Sequence, residues 1–171
     1  LKAWQELGEE MMKAQDYDKY LFSYHGLPER QIRKGSVGGH CKLGSCCEAY
    51  GPSNQFCYRA QCFHTTRLVS EKLGLPKDKV VTCFQSRLGN DPWVKPYTED
   101  MIKELANEGV KKVLVFSPAF VADCLETTVE VGEEYKEQFE ELGGEDWDLV
   151  PSLNSNDTWV DCVKDLVESH A

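Results

Sequence analysis

The chain has 171 residues, enough for one domain with its own core, and a formal net charge of −10. That charge argues against nucleic acid as a partner and suits a cleft that draws cations. No apolar run approaches the roughly 20 residues of a membrane span, and Leu1–Glu6 lacks the long apolar segment of a signal peptide. A soluble, cytoplasmic protein is expected, with peripheral contact at the inner membrane left open.

Residues 1–15 read as an amphipathic helix with Leu1, Trp4, Leu7, Met11 and Met12 near one face. The helix starts without a cap, so the native chain is expected to extend upstream. Tyr20–His25 is the first strand, and Gly26 with Pro28 turns the chain after it. Residues 31–56 form a loop rich in Gly and Cys. Phe56–Leu73 reads as a helix ended by Gly74 and Pro76. Val80–Phe84 is the second strand and leads into the loop Gln85–Trp93. Thr98 is a candidate N-cap for a helix over Glu99–Asn107. Val113–Phe116 is the third strand, and Asp123 or a neighbour opens a long helix to Leu142. Leu149–Leu153 is a short fourth strand and Asp157–Ser169 the closing helix.

Strands alternating with helices predict an α/β fold: a four-stranded parallel sheet flanked by helices, Rossmann-like, as one domain. The apolar runs Val80–Phe84 and Val113–Phe116 fit strands buried on both sides. In such a sheet ligands bind at the carboxyl edge of the strands. His25, the Gln85–Trp93 loop, Ser117–Phe120 and Asn154 should converge there. Taken alone, His25 also fits a histidine merely hydrogen-bonded in a turn.

Glu126, Glu130 and Glu134 are spaced by four, with Glu133 and Glu137 alongside. Like charges at that spacing repel on a helix face. Glu137, Glu140 and Glu141 read as a solvated surface. Glu126, at the start of the helix, falls near the sheet edge and so near His25. A histidine facing a carboxylate can relay protons near neutral pH, and a row of carboxylates offers oxygens to a divalent metal. A spacing of four drifts on an α-helix, and a π-type turn would straighten the row.

His25 in Ser23–Pro28, Phe84–Gly89, Trp93, Pro96–Thr98 and Asp123–Thr127 together resemble ferrochelatase, in order and spacing, from about Tyr20 to the C-terminus. The resemblance implies the C-terminal half of an enzyme that inserts ferrous iron into a porphyrin, the last metal step of haem synthesis. The family fold is two similar Rossmann-like domains across a cleft, so the N-terminal half is the expected partner and this half alone is expected to be inactive. By resemblance, His25 binds incoming iron or accepts pyrrole protons, and Glu126 is its partner across the site. Glu130 and Glu134 pass metal or protons. Trp93, Ser23 and Pro118 touch the porphyrin, although Trp93 also fits a core tryptophan. The alternatives are a chelatase for another tetrapyrrole or metal, and an iron–sulfur sensing module with a vestigial cleft.

Eight cysteines are many for such a chain. Cys83, Cys124 and Cys162 lie among apolar residues, as small buried hydrophobes do. The link between Arg30 and the helix near Gln61 and Cys62 is longer than the usual family pattern. It carries four extra cysteines, Cys41, Cys46, Cys47 and Cys57. Four local thiolates are the ligand set of a [2Fe–2S] cluster or a structural zinc. Zinc favours cysteine pairs spaced by about two to four residues, which adjacent Cys46 and Cys47 fit poorly, and some ferrochelatases carry such a cluster on an internal segment. The cluster is therefore expected over the domain's residues 35–62, with Cys62, His40 or His64 as substitute ligands.

Overall fold

The computed structural model describes residues 1–170. Its elements in order are α1 (Lys2–Met12), β1 (Lys19–His25), α2 (Glu29–Lys34), α3 (Tyr58–Lys72), β2 (Val80–Gln85), α4 (Thr98–Asn107), β3 (Lys112–Phe116), a π-helix (Glu126–Glu134), α5 (Tyr135–Glu141), β4 (Asp146–Leu149) and α6 (Asp157–Glu168). The four strands form one parallel sheet in the order β2-β1-β3-β4. This is the expected α/β architecture.

Alternation along β1 and β3 sorts the core into two layers. Tyr20, Phe22 and Tyr24, with Leu114 and Phe116, face a layer that also holds Trp4 of α1 and Val69 of α3. Leu21, Val113 and Val115 face the opposite layer with Ile102 of α4, Val131 of the π-helix and Phe139 of α5. By the same alternation His25 belongs to the face of Leu21 and Ser23, the side on which the π-helix packs. The Phe22 and Phe116 rings stack at 4.6 Å in the middle of the first layer, and Trp4 meets Phe116 edge-on at 6.5 Å. α1 comes so close here that a Cβ on Gly8 would sit 2.9 Å from the Phe116 ring.

Several boundaries differ from the sequence reading, each for a local reason. β4 covers Asp146–Leu149 rather than Leu149–Leu153. It is an edge strand, so it needs only alternate residues inside: Trp147 is buried, Asp148 accepts from Tyr17 Oη at 2.6 Å, and Asp146 pairs with Lys112. β2 is the other edge, and its first three residues are only half-buried. Thr98 is not an N-cap. Tyr97 holds that position, and the Thr98 hydroxyl turns inward to Ser23 and Cys83. Asp123 does not open a helix either: its carboxylate accepts from Asn154 Nδ2 at 2.8 Å and from the Ser152 amide, which ties down the turn after β4. Of the three scattered cysteines only Cys83 is buried, whereas Cys162 is exposed.

The stacked ring pair gives a direct stability test. Phe116→Ala leaves a cavity between α1 and the sheet and should cost roughly 3–5 kcal/mol in urea unfolding. A loss under about 1 kcal/mol would show that this layer does not hold the fold.

Candidate active site

His25 ends β1 in register with Gln85, the last residue of β2. The chain then turns at Gly26, whose amide donates to the Gln85 carbonyl at 2.8 Å. A larger residue would crowd this turn, because a Cβ at Gly26 would lie 3.0 Å from both the Gln85 carbonyl oxygen and Cε3 of Trp93. His25 is half-buried, with Trp93 and Phe120 ring centroids 6.3 and 6.2 Å away. Its Nδ1 lies 2.7 Å from the Gly26 carbonyl oxygen. A carbonyl only accepts, so this contact keeps a proton on Nδ1 and leaves the Nε2 lone pair available. Tyr58 of α3 donates its hydroxyl to the His25 carbonyl at 2.7 Å.

Gln85 carries the connection to the π-helix. Its side chain is 2% exposed. The amide oxygen accepts from the Ser23 hydroxyl at 2.7 Å, and the amide nitrogen donates to the Glu126 carbonyl at 3.1 Å. Glu126, the first residue of the π-helix, thus stands on the same edge of the sheet as His25. Its carboxyl is held below the usual carboxylate range, first by its own backbone N–H and then by Cys124, with a further pull from His25. Glu126, Glu130 and Glu134 line one open groove of ≈ 260 Å³ together with Leu125 and Val129. All three lie within the π-helix. Glu137, Glu140 and Glu141 are exposed, as expected of a solvated face.

The three carboxylates are not equivalent. Glu130 accepts from the Ser86 amide at 2.8 Å, from the Ser86 hydroxyl, from Tyr135 Oη at 2.9 Å and from Gln85 Nε2 at 3.4 Å. Ser86 is one of three non-glycine residues with positive φ, at 62°, so Glu130 secures a turn that most residues avoid. Glu134 is exposed on the outer end of the groove.

Two of the expected porphyrin contacts lie elsewhere. Ser23 is fully buried, with its hydroxyl engaged by Gln85 and Thr98, and has no open surface for a ligand. Pro118 lines a separate cavity of ≈ 370 Å³ between α1 and α6, beside Trp4 and Trp159, on the opposite side of the sheet from the acid row. Trp93 is half-buried beside His25, its indole N–H donating to the Leu88 carbonyl at 3.1 Å. Tyr58, Tyr135 and Arg59 escaped the sequence reading. Their contacts are tertiary, and no local spacing marks them.

The cysteine loop folds back on itself beneath this site. Cys41, Cys46, Cys47 and Cys57 line one pocket together with His40, whereas Cys62 and His64 lie outside it. The pocket is nearly closed, ≈ 10 Å³. Among the described residues no three His, Cys, Asp or Glu side chains surround a single metal-sized point. The Cys46 and Cys47 sulfurs are 4.0 Å apart, and the Lys42 amide donates to Cys46 Sγ at 3.3 Å. Backbone amides hold the Cys46 thiol below its ordinary value against its burial, while burial pushes the Cys47 thiol up to about 11. His64 instead stacks on Tyr50 at 4.2 Å, and Cys62 is buried in α3 with its thiol pushed up to about 12 by burial.

The ferrochelatase family model matches residues 1–171. Over 157 residues the chain is 51% identical to the ferrochelatase of Pseudomonas fluorescens strain Pf0-1, which covers 90% of the chain and 46% of that protein. It is 49% identical over 156 residues to that of Ectopseudomonas mendocina strain ymp, covering 90% and 46%. It is 46% identical over 147 residues to that of Legionella pneumophila strain Lens, covering 86% and 44%. The chain spans about half the length of the curated relatives it matches. It belongs to the ferrochelatase family.

Proposed function

We propose that this chain is the C-terminal half of an enzyme that inserts ferrous iron into a porphyrin, with an N-terminal half of similar fold closing the cleft. The observation that carries the reading is that His25 and the Trp93 ring stand at the sheet edge where Gln85 holds the main chain of Glu126, the first of three carboxylates lining one groove. Metallation replaces two pyrrole N–H bonds by bonds to iron and releases two protons, so the site must accept protons where a dication arrives. The Nε2 lone pair of His25 either takes a proton or ligates the iron. Glu126, ionised at neutral pH, stabilises the positive charge that builds up beside it. Trp93 offers a flat apolar wall for a tetrapyrrole. Glu134 and Glu126 supply open carboxylate oxygens along the groove. Glu130 stands between them with its acceptor sites already taken, so its part in the row is to anchor the Ser86 turn, and passing an ion requires it to release one donor.

Within this reading the loop thiols Cys41, Cys46, Cys47 and Cys57 hold a [2Fe–2S] cluster. The donor chemistry fits: four thiols on one pocket and an amide donor on one sulfur. The pocket has to widen to take two irons. When bound, the cluster supplies four Fe–S bonds that order a loop with few apolar side chains. Eight free thiols suit a reducing compartment such as the cytoplasm.

In the full-length protein, His25→Ala should lower the rate of iron insertion by at least about 10²-fold. A sensing module with a vestigial cleft predicts instead that cysteine loss matters and His25→Ala does not. Glu130→Leu strands the Ser86 and Tyr135 donors and should cost roughly 2–3 kcal/mol of stability in urea unfolding, whereas a purely ion-passing Glu130 would leave stability unchanged. The purified protein should absorb between roughly 400 and 550 nm and lose that colour when Cys41, Cys46, Cys47 and Cys57 are replaced by Ser, since iron–thiolate clusters are coloured and Zn²⁺ is not. A colourless, zinc-containing protein would overturn the cluster.

A further inference from the structure

Two consecutive residues of α3 join the thiol pocket to the candidate active site. Cys57 lines the pocket and occupies the cap position of α3. The next residue, Tyr58, donates its hydroxyl to the backbone carbonyl of His25 at 2.7 Å. The residue after it, Arg59, is 8% exposed and therefore expensive to leave unpaired. Its guanidinium donates to the Gly44 carbonyl of the cysteine loop at 3.3 Å and reaches the Cys47 thiol. It also donates twice to the Lys95 carbonyl, at 2.9 and 3.1 Å. Lys95 belongs to the segment that carries Trp93, and that segment is fixed to the turn after His25 by the Val94 amide on the Leu27 carbonyl at 3.0 Å. Arg59 further packs over the Phe63 ring at 4.4 Å, so its position is set by stacking as well as by hydrogen bonds.

The first residue beyond the last pocket cysteine therefore holds the main chain of His25, and the second holds the strip bearing Trp93. Asn54, 7% exposed, binds the loop into the same unit by donating to the Cys46 and Ala49 carbonyls at 2.7 and 2.8 Å. A shift of the loop cannot be absorbed by water at these contacts, because the groups that make them are largely buried. We propose that Tyr58 and Arg59 are positioning residues that set His25 and Trp93 according to whether the thiol pocket is intact. Tyr58 acts through the His25 carbonyl, at the same residue whose imidazole is oriented by its own bond to Gly26. The inference rests on the reading of His25 as the reactive imidazole of an iron-insertion site.

The test uses full-length protein labelled with ¹⁵N-histidine, the His25 resonances being identified by their loss in His25→Ala. Tyr58→Phe should leave metal content and the visible spectrum as in the wild type. It should shift the His25 ring nitrogens and lower kcat about tenfold, with KM for metal and porphyrin within about twofold, as expected for a misplaced reactive group. Cys57→Ser, with Cys41→Ser as a second perturbation of the pocket, should shift the same His25 resonances. Adding Tyr58→Phe to Cys57→Ser should lower kcat no further than the more severe single change. Unmoved His25 resonances in Tyr58→Phe, or in both cysteine variants, would overturn the proposal, as would fully multiplicative kinetic losses. If the wild-type protein inserts no iron, the proposed function fails on its own, and the histidine resonances still decide whether the pocket and His25 are linked.

Discussion

One buried glutamine holds the two ends of the candidate site together. The main-chain carbonyl of Gln85 accepts from Gly26, immediately after His25, and its side-chain amide donates to the carbonyl of Glu126. Because the side chain is 2% exposed, these bonds face no competition from water, and leaving either group unpaired would carry the full desolvation penalty. The parallel register of β1 and β2 places the glutamine opposite the histidine. The placement of His25 and Glu126 at one sheet edge is thus a consequence of strand pairing and one amide.

The π-helix is the second constraint. Its three glutamates, four residues apart, line one groove. Crowding carboxylates costs stability, and the fold offsets that cost unevenly. Glu130 is surrounded by donors from Ser86, Tyr135 and Gln85, and Glu126 is stabilised at its own amide, so the charge nearest the sheet is the best compensated. The row makes sense as a surface kept negative for a cation.

The layer architecture was readable from the alternation of strands and helices, because β3 is apolar enough to mark a strand buried on both faces. β4 was displaced in the sequence reading because an edge strand buries only alternate residues, and Asp146 and Asp148 hid it. The position of His25 at a strand end and of Glu126 at a helix start was legible from the motifs. Ser23 is buried with its hydroxyl turned inward to Gln85 and Thr98, which its place in the motif does not reveal. Pro118 is delivered by the turn after β3 to the cavity beside α1 and α6. The convergence of four cysteines was legible from their crowding, whereas the ties from Tyr58 and Arg59 to the site depend on how α3 crosses the sheet and leave no trace in local spacing.

The central claim is that His25 and Glu126 act as one unit on the metal and its displaced protons. A double-mutant cycle with His25→Ala and Glu126→Gln in the full-length protein, read as kcat/KM for iron insertion, tests it most directly. The account predicts that the double variant is no slower than the slower single variant. Losses that multiply across the cycle would mean that the two residues act independently and would contradict it.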